Sequence, residues 1–133
     1  MILQHLLLCP EKLSVWEAYK AARSRYRDEA EFDHYQNLLS RCFPATPIEK
    51  IKSSGYVVDS LEAAVWCLLT TNSYRECVLK AVNLGEDTDT VAAIAGGLAG
   101  ALYGLDAIPK EWLAQLKKRE YIEEMCERAA KNW

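Results

Sequence analysis

The sequence has 133 residues, 50% of them apolar and 26% charged, with six glycines and four prolines. That is the length of one globular domain with enough apolar material for a core, which excludes a disordered or collagen-like chain. A formal net charge of −3 argues against a general binder of nucleic acid or membrane surfaces, which carries a basic excess.

The chain opens with "MILQHLLLCPEKL", an apolar stretch interrupted by Gln4 and His5 that lacks the basic region and small-residue cleavage site of a secretory signal. Ser14 is expected to cap a helix through "VWEAYKAARSRY", with Val15, Ala18, Tyr19 and Ala22 on one face. Its basic run at 20–27, like the later run at 117–119, reads as a solvated helix face. A second helix is expected over 29–43, with Phe32, Tyr35, Leu38, Leu39 and Cys42 as its stripe, stopped by "PATP" at 44–47.

Two capping boxes follow. Asp59 stands three residues before Glu62 at the head of "SLEAAVWCLLTT", and Ser73 three before Glu76 at the head of "YRECVLKAVNL". Leu61, Ala64, Val65, Leu68 and Leu69 then form a wide apolar face. Next comes a helix led by Asp89 and Thr90 that runs to Tyr103 and stops at Gly104. Within it Gly96, Gly100 and Gly104 recur every fourth residue and share one side. Each interior glycine costs roughly 1 kcal/mol against alanine, a cost that close approach of a neighbouring helix would offset. Pro109 suits the first turn of "KEWLAQL", and a last helix covers 120–130, where Glu123 and Glu124 read as solvated. No stretch alternates with strand period, so the class is all-α, a single helical domain or part of one over 1–133.

Five cysteines (Cys9, Cys42, Cys67, Cys77 and Cys126) are odd in number and irregularly spaced. They form no C-x-x-C pair, so neither a zinc ribbon nor a dithiol motif is supported. Cys67 and Cys77 stand at helical spacing among apolar residues and read as small hydrophobes. A reducing compartment is the simplest inference. The longest apolar run, 91–105, is short of a bilayer span. The expectation is a soluble, cytoplasmic protein with no nucleic-acid or membrane partner.

Chemistry concentrates in "GEDTDT" at 85–90, where Glu86, Asp87 and Asp89 crowd together and no Lys or Arg occurs between 81 and 92. A helix cap needs only one oxygen, from Asp89 or Thr90, and further carboxylates near a helix N-terminus are mildly favourable. Two carboxylates two residues apart nevertheless repel unless solvated or bridged. Asp, Asp and Thr form an oxygen-rich set suited to a hard cation such as Mg²⁺. The EF-hand pattern is not met, and zinc lacks a nearby His or Cys. Cap and cation both stand as readings of the segment. His5 and His34 are lone histidines, and no G-x-S-x-G, P-loop or G-x-G-x-x-G occurs.

"SSGYVVDSLEAAVWCLL" at 53–69 followed by "AVNLGEDTDTVAAIAGGLAGALYG" at 81–104 resembles the C-terminal half of the ADP-ribosylglycohydrolase family. That family includes the enzyme that reactivates dinitrogenase reductase and the eukaryotic ADP-ribosyl-acceptor hydrolases. The resemblance implies an all-α fold and a centre of two Mg²⁺ (or Mn²⁺) ions in a cleft that holds ADP-ribose. It also implies hydrolysis of the glycosidic bond between ADP-ribose and an acceptor side chain. On matching positions it makes Asp87, Asp89 and Thr90 metal ligands and sets Gly55 and Tyr56 beside the ligand cleft. Tyr56 then either packs on adenosine or is a core aromatic next to a helix start. Thr88 points elsewhere, and Glu86 stands where glycine is common and is not a ligand.

The family's G-D-A and T-D-D motifs, which supply the remaining ligands, do not occur in this sequence. The expectation is therefore a fragment, a truncated product or half of a split enzyme, inactive alone, with its catalytic residues unassigned. Its implied partners are ADP-ribose or an ADP-ribosylated protein, and a separate N-terminal half or another copy. A non-catalytic binding module and a structural helical protein on the same scaffold are the alternatives.

Overall fold

Residues 63–68 are six consecutive buried positions, so the helix that holds them, α4 (Val57–Leu69), is enclosed on nearly every side. The computed structural model describes residues 1–26 and 29–131, apart from the side chains of Glu31 and Leu39, so that Leu39 of the expected stripe lies outside the described residues. Around α4 pack α6 (Thr88–Tyr103) and α5 (Tyr74–Val82), and α6 also meets α1 (Ile2–Leu8). α2 (Leu13–Arg25) covers α1, and the short α3 (Gln36–Leu39) lies between α2 and α4. α7 (Lys110–Gln115) and α8 (Arg119–Ala130) follow, and neither buries a residue. Among the described residues no strand forms, which bears out the all-α class. None of these helices is long and apolar enough to cross a membrane.

The core joins these helices through Leu6, Val15, Leu38, Leu68, Cys77, Val91 and Ala95, all fully enclosed. Each buried leucine contributes roughly 1.5–3 kcal/mol relative to exposure. Cys67 and Cys77 sit in this core as expected, and burial pushes their thiols up to about 12 and about 11. The C-terminal end of α4 is capped from α2: Lys12 Nζ donates to the carbonyls of Leu69 and Thr71 and to Asn72 Oδ1, a cation where the helix dipole favours one.

Several helix starts differ from expectation. Ser14 does not cap α2, which begins at Leu13 with Lys12 at the N-cap; its buried hydroxyl donates instead to the Cys9 carbonyl at 2.5 Å. The expected helix over 29–43 is broken into a 3-10 helix at Ala30–Tyr35, the four-residue α3 and another 3-10 helix at Phe43–Ala45. Ser40 ends α3 in extended conformation, and its hydroxyl takes the Cys42 N–H at 3.2 Å, a local competitor to the helical bond. Cys42 consequently lies exposed rather than in an apolar stripe.

Asp59 does not cap α4 either, since the helix starts two residues earlier with Tyr56 at the N-cap. The Asp59 carboxylate is taken by the Ser54 hydroxyl at 2.6 Å, and Glu62 turns toward Asn37, whose Nδ2 donates to Oε2 at 3.3 Å. Glu62 Oε1 and the Tyr19 hydroxyl are buried with no partner, and burial raises the pKa of both groups.

Other expectations hold. Ser73 Oγ accepts the Glu76 N–H at 3.2 Å, as expected at the start of α5, while the return bond from Glu76 Oε2 is to the Asn72 N–H at 2.9 Å, one residue before the N-cap. Gly104 closes α6 at φ 79°, donating to the Gly100 carbonyl at 2.9 Å. Gly96 and Gly100 do face α5, but a Cβ on Gly96 would find Tyr74 Oη at 3.5 Å and Val78 Cγ2 at 3.7 Å. That is ordinary contact with side chains rather than backbone, and Gly104 meets nothing within 4 Å, so its place is set by its dihedral and not by packing.

Candidate metal and ligand site at the start of α6

Two chain segments distant in sequence meet at the site: 53–56, which leads into α4, and 84–90, which leads into α6. The second must reverse sharply after α5. Gly85 (φ 93°) and Glu86 (φ 55°) both take left-handed conformations to do so. Glycine adopts this freely, whereas a residue with a Cβ pays roughly 1–2 kcal/mol. Glu86 therefore occupies a position that suits glycine, which is also what the family pattern implies there.

Asp87 is the N-cap of α6 but makes no side-chain capping bond. Its N–H donates to the Ser53 carbonyl at 3.1 Å and its carbonyl accepts the Val91 N–H at 3.2 Å. Its carboxyl lies against Gly55, where an added Cβ would be 3.2 Å from Oδ2. Asp89 stands in the first turn of α6. Its carboxyl is held below the ordinary carboxylate range, first by the neighbouring Asp87 side chain and next by the backbone N–H groups of Asp89 and Thr90. Both acids thus stand at the helix start. Asp89 is not the N-cap, and Asp87, which is, makes no cap with its side chain. Thr90 is exposed three residues after Asp87 and so shares its face of α6.

Of the residues expected at the cleft, Gly55 is brought against Asp87. Tyr56 is 52% exposed, so it is not a core aromatic, and its ring is free to meet a ligand. The segment that carries both is tied down by serines that sequence reasoning passed over. Ser53, 3% exposed, donates its hydroxyl to the Gly85 carbonyl at 2.9 Å. Ser54 Oγ accepts the Tyr56 N–H at 3.2 Å while donating to Asp59, and Ser60 Oγ donates to the carbonyls of Ser54 and Tyr56. The only sequence signal for this network is the cluster of three serines around Gly55. His5 is spent on the Met1 carbonyl and His34 is exposed, so neither joins the site.

Asp87, Asp89 and Thr90 offer two carboxyls and a hydroxyl, all oxygen and all on one solvent-facing helix start. This donor set fits a hard divalent cation, which would relieve the repulsion between the two acids. It fits one side of a coordination shell rather than a closed cage: among the described residues no group of three His, Cys, Asp or Glu side chains is placed to hold a metal. A separate cleft of about 310 Å³ is lined by Asn37, Phe43, Thr46, Lys50 and Glu62, among others, and contains no residue of the acidic loop.

A family model described as ADP-ribosylglycohydrolase matches residues 1–133. The ADP-ribosylarginine hydrolase Tri1 of Serratia proteamaculans is 49% identical over 79 residues, 59% of this chain and 22% of that protein. The ADP-ribosyl-(dinitrogen reductase) glycohydrolase of Rhodospirillum rubrum is 43% identical over 67 residues, 50% of this chain and 23% of that protein. The ADP-ribosylhydrolase ARH3 of Homo sapiens is 35% identical over 65 residues, 41% of this chain and 18% of that protein. The matched segment spans less than a quarter of the length of each of these relatives.

Proposed function

This chain belongs to the ADP-ribosylglycohydrolase family, and on that premise we propose that it is part of a hydrolase that cleaves the glycosidic bond between ADP-ribose and an acceptor side chain. In this reading Asp87, Asp89 and Thr90 hold a divalent cation, Mg²⁺ or Mn²⁺, and Gly55 and Tyr56 face the bound ADP-ribose. The observation that carries it is the placement of the Asp87 carboxyl against Gly55, with Asp89 in the first turn of the helix that Asp87 opens. The names of the relatives, which act on ADP-ribosylarginine or ADP-ribosylated dinitrogen reductase, support the substrate class.

A cation bound there supplies polarisation of an oxygen and a template for ribose and water. The chain's own residues do the rest of what this side of the site offers. Asp87 and Asp89 present fixed negative charge at a helix start whose orientation is set by the Ser53 contact. Gly55, lacking a side chain, leaves room next to Asp87, and the exposed Tyr56 ring packs on the adenosine part. In the overall reaction a water oxygen bonds to the anomeric carbon, the bond to the acceptor nitrogen or oxygen breaks, and the proton from water ends on the acceptor.

Two carboxyls alone do not enclose two cations, and so the remaining oxygen ligands come from outside the 133-residue chain, whether a further segment, a separate half or another copy. The chain alone then binds Mn²⁺ weakly and releases no ADP-ribose. The absence of any three-acid cluster among the described residues favours this binding-only behaviour of the isolated chain. Calorimetric titration with Mn²⁺ tests the first part: the double variant Asp87→Asn/Asp89→Asn is expected to bind none, and titrations indistinguishable from wild type would reject the site. ADP-ribose release from ADP-ribosyl-arginine and ADP-ribosyl-serine peptides tests the second. Turnover by the chain alone, lost in Asp89→Ala, would show the site to be complete.

A further inference from the structure

We infer that Ser53 is a positioning residue for the Asp87 carboxyl, holding the acidic loop from outside its own helix. This deepens the metal reading above and rests on it. Ser53 touches the loop at two points. Its hydroxyl donates to the Gly85 carbonyl at 2.9 Å, and its carbonyl accepts the Asp87 N–H at 3.1 Å. These two bonds straddle Glu86, so they bracket the pair of left-handed residues, Gly85 and Glu86, on which the direction of the loop depends. Two residues further along, Gly55 lies against Asp87 Oδ2.

The serine is itself immobilised. It is 3% exposed, and the residues after it are fastened to the first turns of α4 by the Ser54–Asp59 and Ser60–Ser54 bonds. Hydrogen bonds at Ser54, the Ser53–Ser54 peptide link and the Ser53 contacts therefore connect the enclosed helix α4 to the backbone of Asp87. Asp87 forms no capping bond of its own, so its carboxyl is oriented by what holds its backbone. Removing the Ser53 hydroxyl releases the Gly85 carbonyl and lets the Asp87 carboxyl drift from that of Asp89. Residues that orient metal ligands in this way typically change affinity by about 10–100-fold.

The test is Mn²⁺ affinity of the whole 133-residue chain, read by calorimetry and by electron paramagnetic resonance, together with amide nitrogen–proton spectra recorded without metal. Thr71→Val is the control. It removes another buried hydroxyl, one that donates to the Cys67 carbonyl at 2.6 Å inside the core. Ser53→Ala is expected to weaken Mn²⁺ binding by about tenfold or more and to shift the amide resonances of residues 85–90, while Thr71→Val does neither. Should Ser53→Ala fold poorly, the near-isosteric Ser53→Cys, whose thiol is a weak donor, is expected to move both readouts in the same direction.

Unchanged affinity in the folded serine variants, or an equal loss in Thr71→Val, would overturn the assignment. A wild-type chain that takes up no Mn²⁺ sinks the metal reading instead. The metal-free spectra still decide the role of Ser53 in that case, because unmoved resonances at 85–90 remove it.

Discussion

α5 and α6 begin within fifteen residues of each other and solve the same problem in opposite ways. The start of α5 is self-sufficient: Ser73 accepts the Glu76 N–H, and Glu76 reaches back to the Asn72 N–H. The start of α6 has more acidic oxygen than α5 yet makes no capping bond from its N-cap residue. It keeps a left-handed Glu86 and relies on Ser53, from another segment, to hold it. A helix start that has only to be stable satisfies its free N–H groups with its own side chains. The start of α6 instead leaves the Asp87 carboxyl out of the cap, with a left-handed residue beside it.

Three substitutions break or sharpen this contrast. The largest effect is expected at the interface that both helices share. Gly96 of α6 faces Tyr74, the first residue of α5, and a leucine there would have to displace the Tyr74 ring and Val78. Gly96→Leu is expected to destabilise the chain by roughly 1–3 kcal/mol, read as a lowered denaturant midpoint, whereas Gly96→Ala should fit. An unchanged midpoint for the leucine would mean that α5 yields freely and the two starts are not coupled.

Next in size is Ser73→Ala, which removes the self-contained cap and should cost about 1 kcal/mol while leaving Mn²⁺ binding as it was. Equal losses of stability and metal affinity would erase the distinction between the two starts. The smallest is Glu86→Gly. Relief of the left-handed strain, less the extra flexibility of glycine in the unfolded chain, should stabilise by about 0.5 kcal/mol. A loss of stability in this variant, measured by the same denaturant titration, would show that the Glu86 side chain has a favourable contact that outweighs its backbone.

The same contrast explains what was legible in the sequence. Ser73 and Glu76 were readable because both partners of a capping box lie within one turn, and Gly104 because a helix end needs a residue that tolerates positive φ. The D-T-D-T acids stood out because their charge had no basic neighbour in sequence, which left cap and cation both open. Asp59 and Glu62 carried the same spacing as Ser73 and Glu76, yet Ser54 and Asn37 captured their carboxylates first. The apolar spacing over 29–43 predicted a continuous helix, but Ser40 offered the backbone a competing bond. Ser53 left no trace beyond its place in the serine cluster around Gly55. Its partners lie 32 residues away at Gly85 and a little further at Asp87, and a hydroxyl donating to a backbone carbonyl imposes no residue type on the other side.

That distance has a consequence for the order in which the molecule assembles. The Ser53 contacts close a ring of chain that contains the whole of α4 and α5. Closing such a ring costs entropy that only long-range contacts return. Helices form and pair locally long before contacts of this separation are made. The acidic loop thus takes its shape only after α4 and α5 have formed inside that ring.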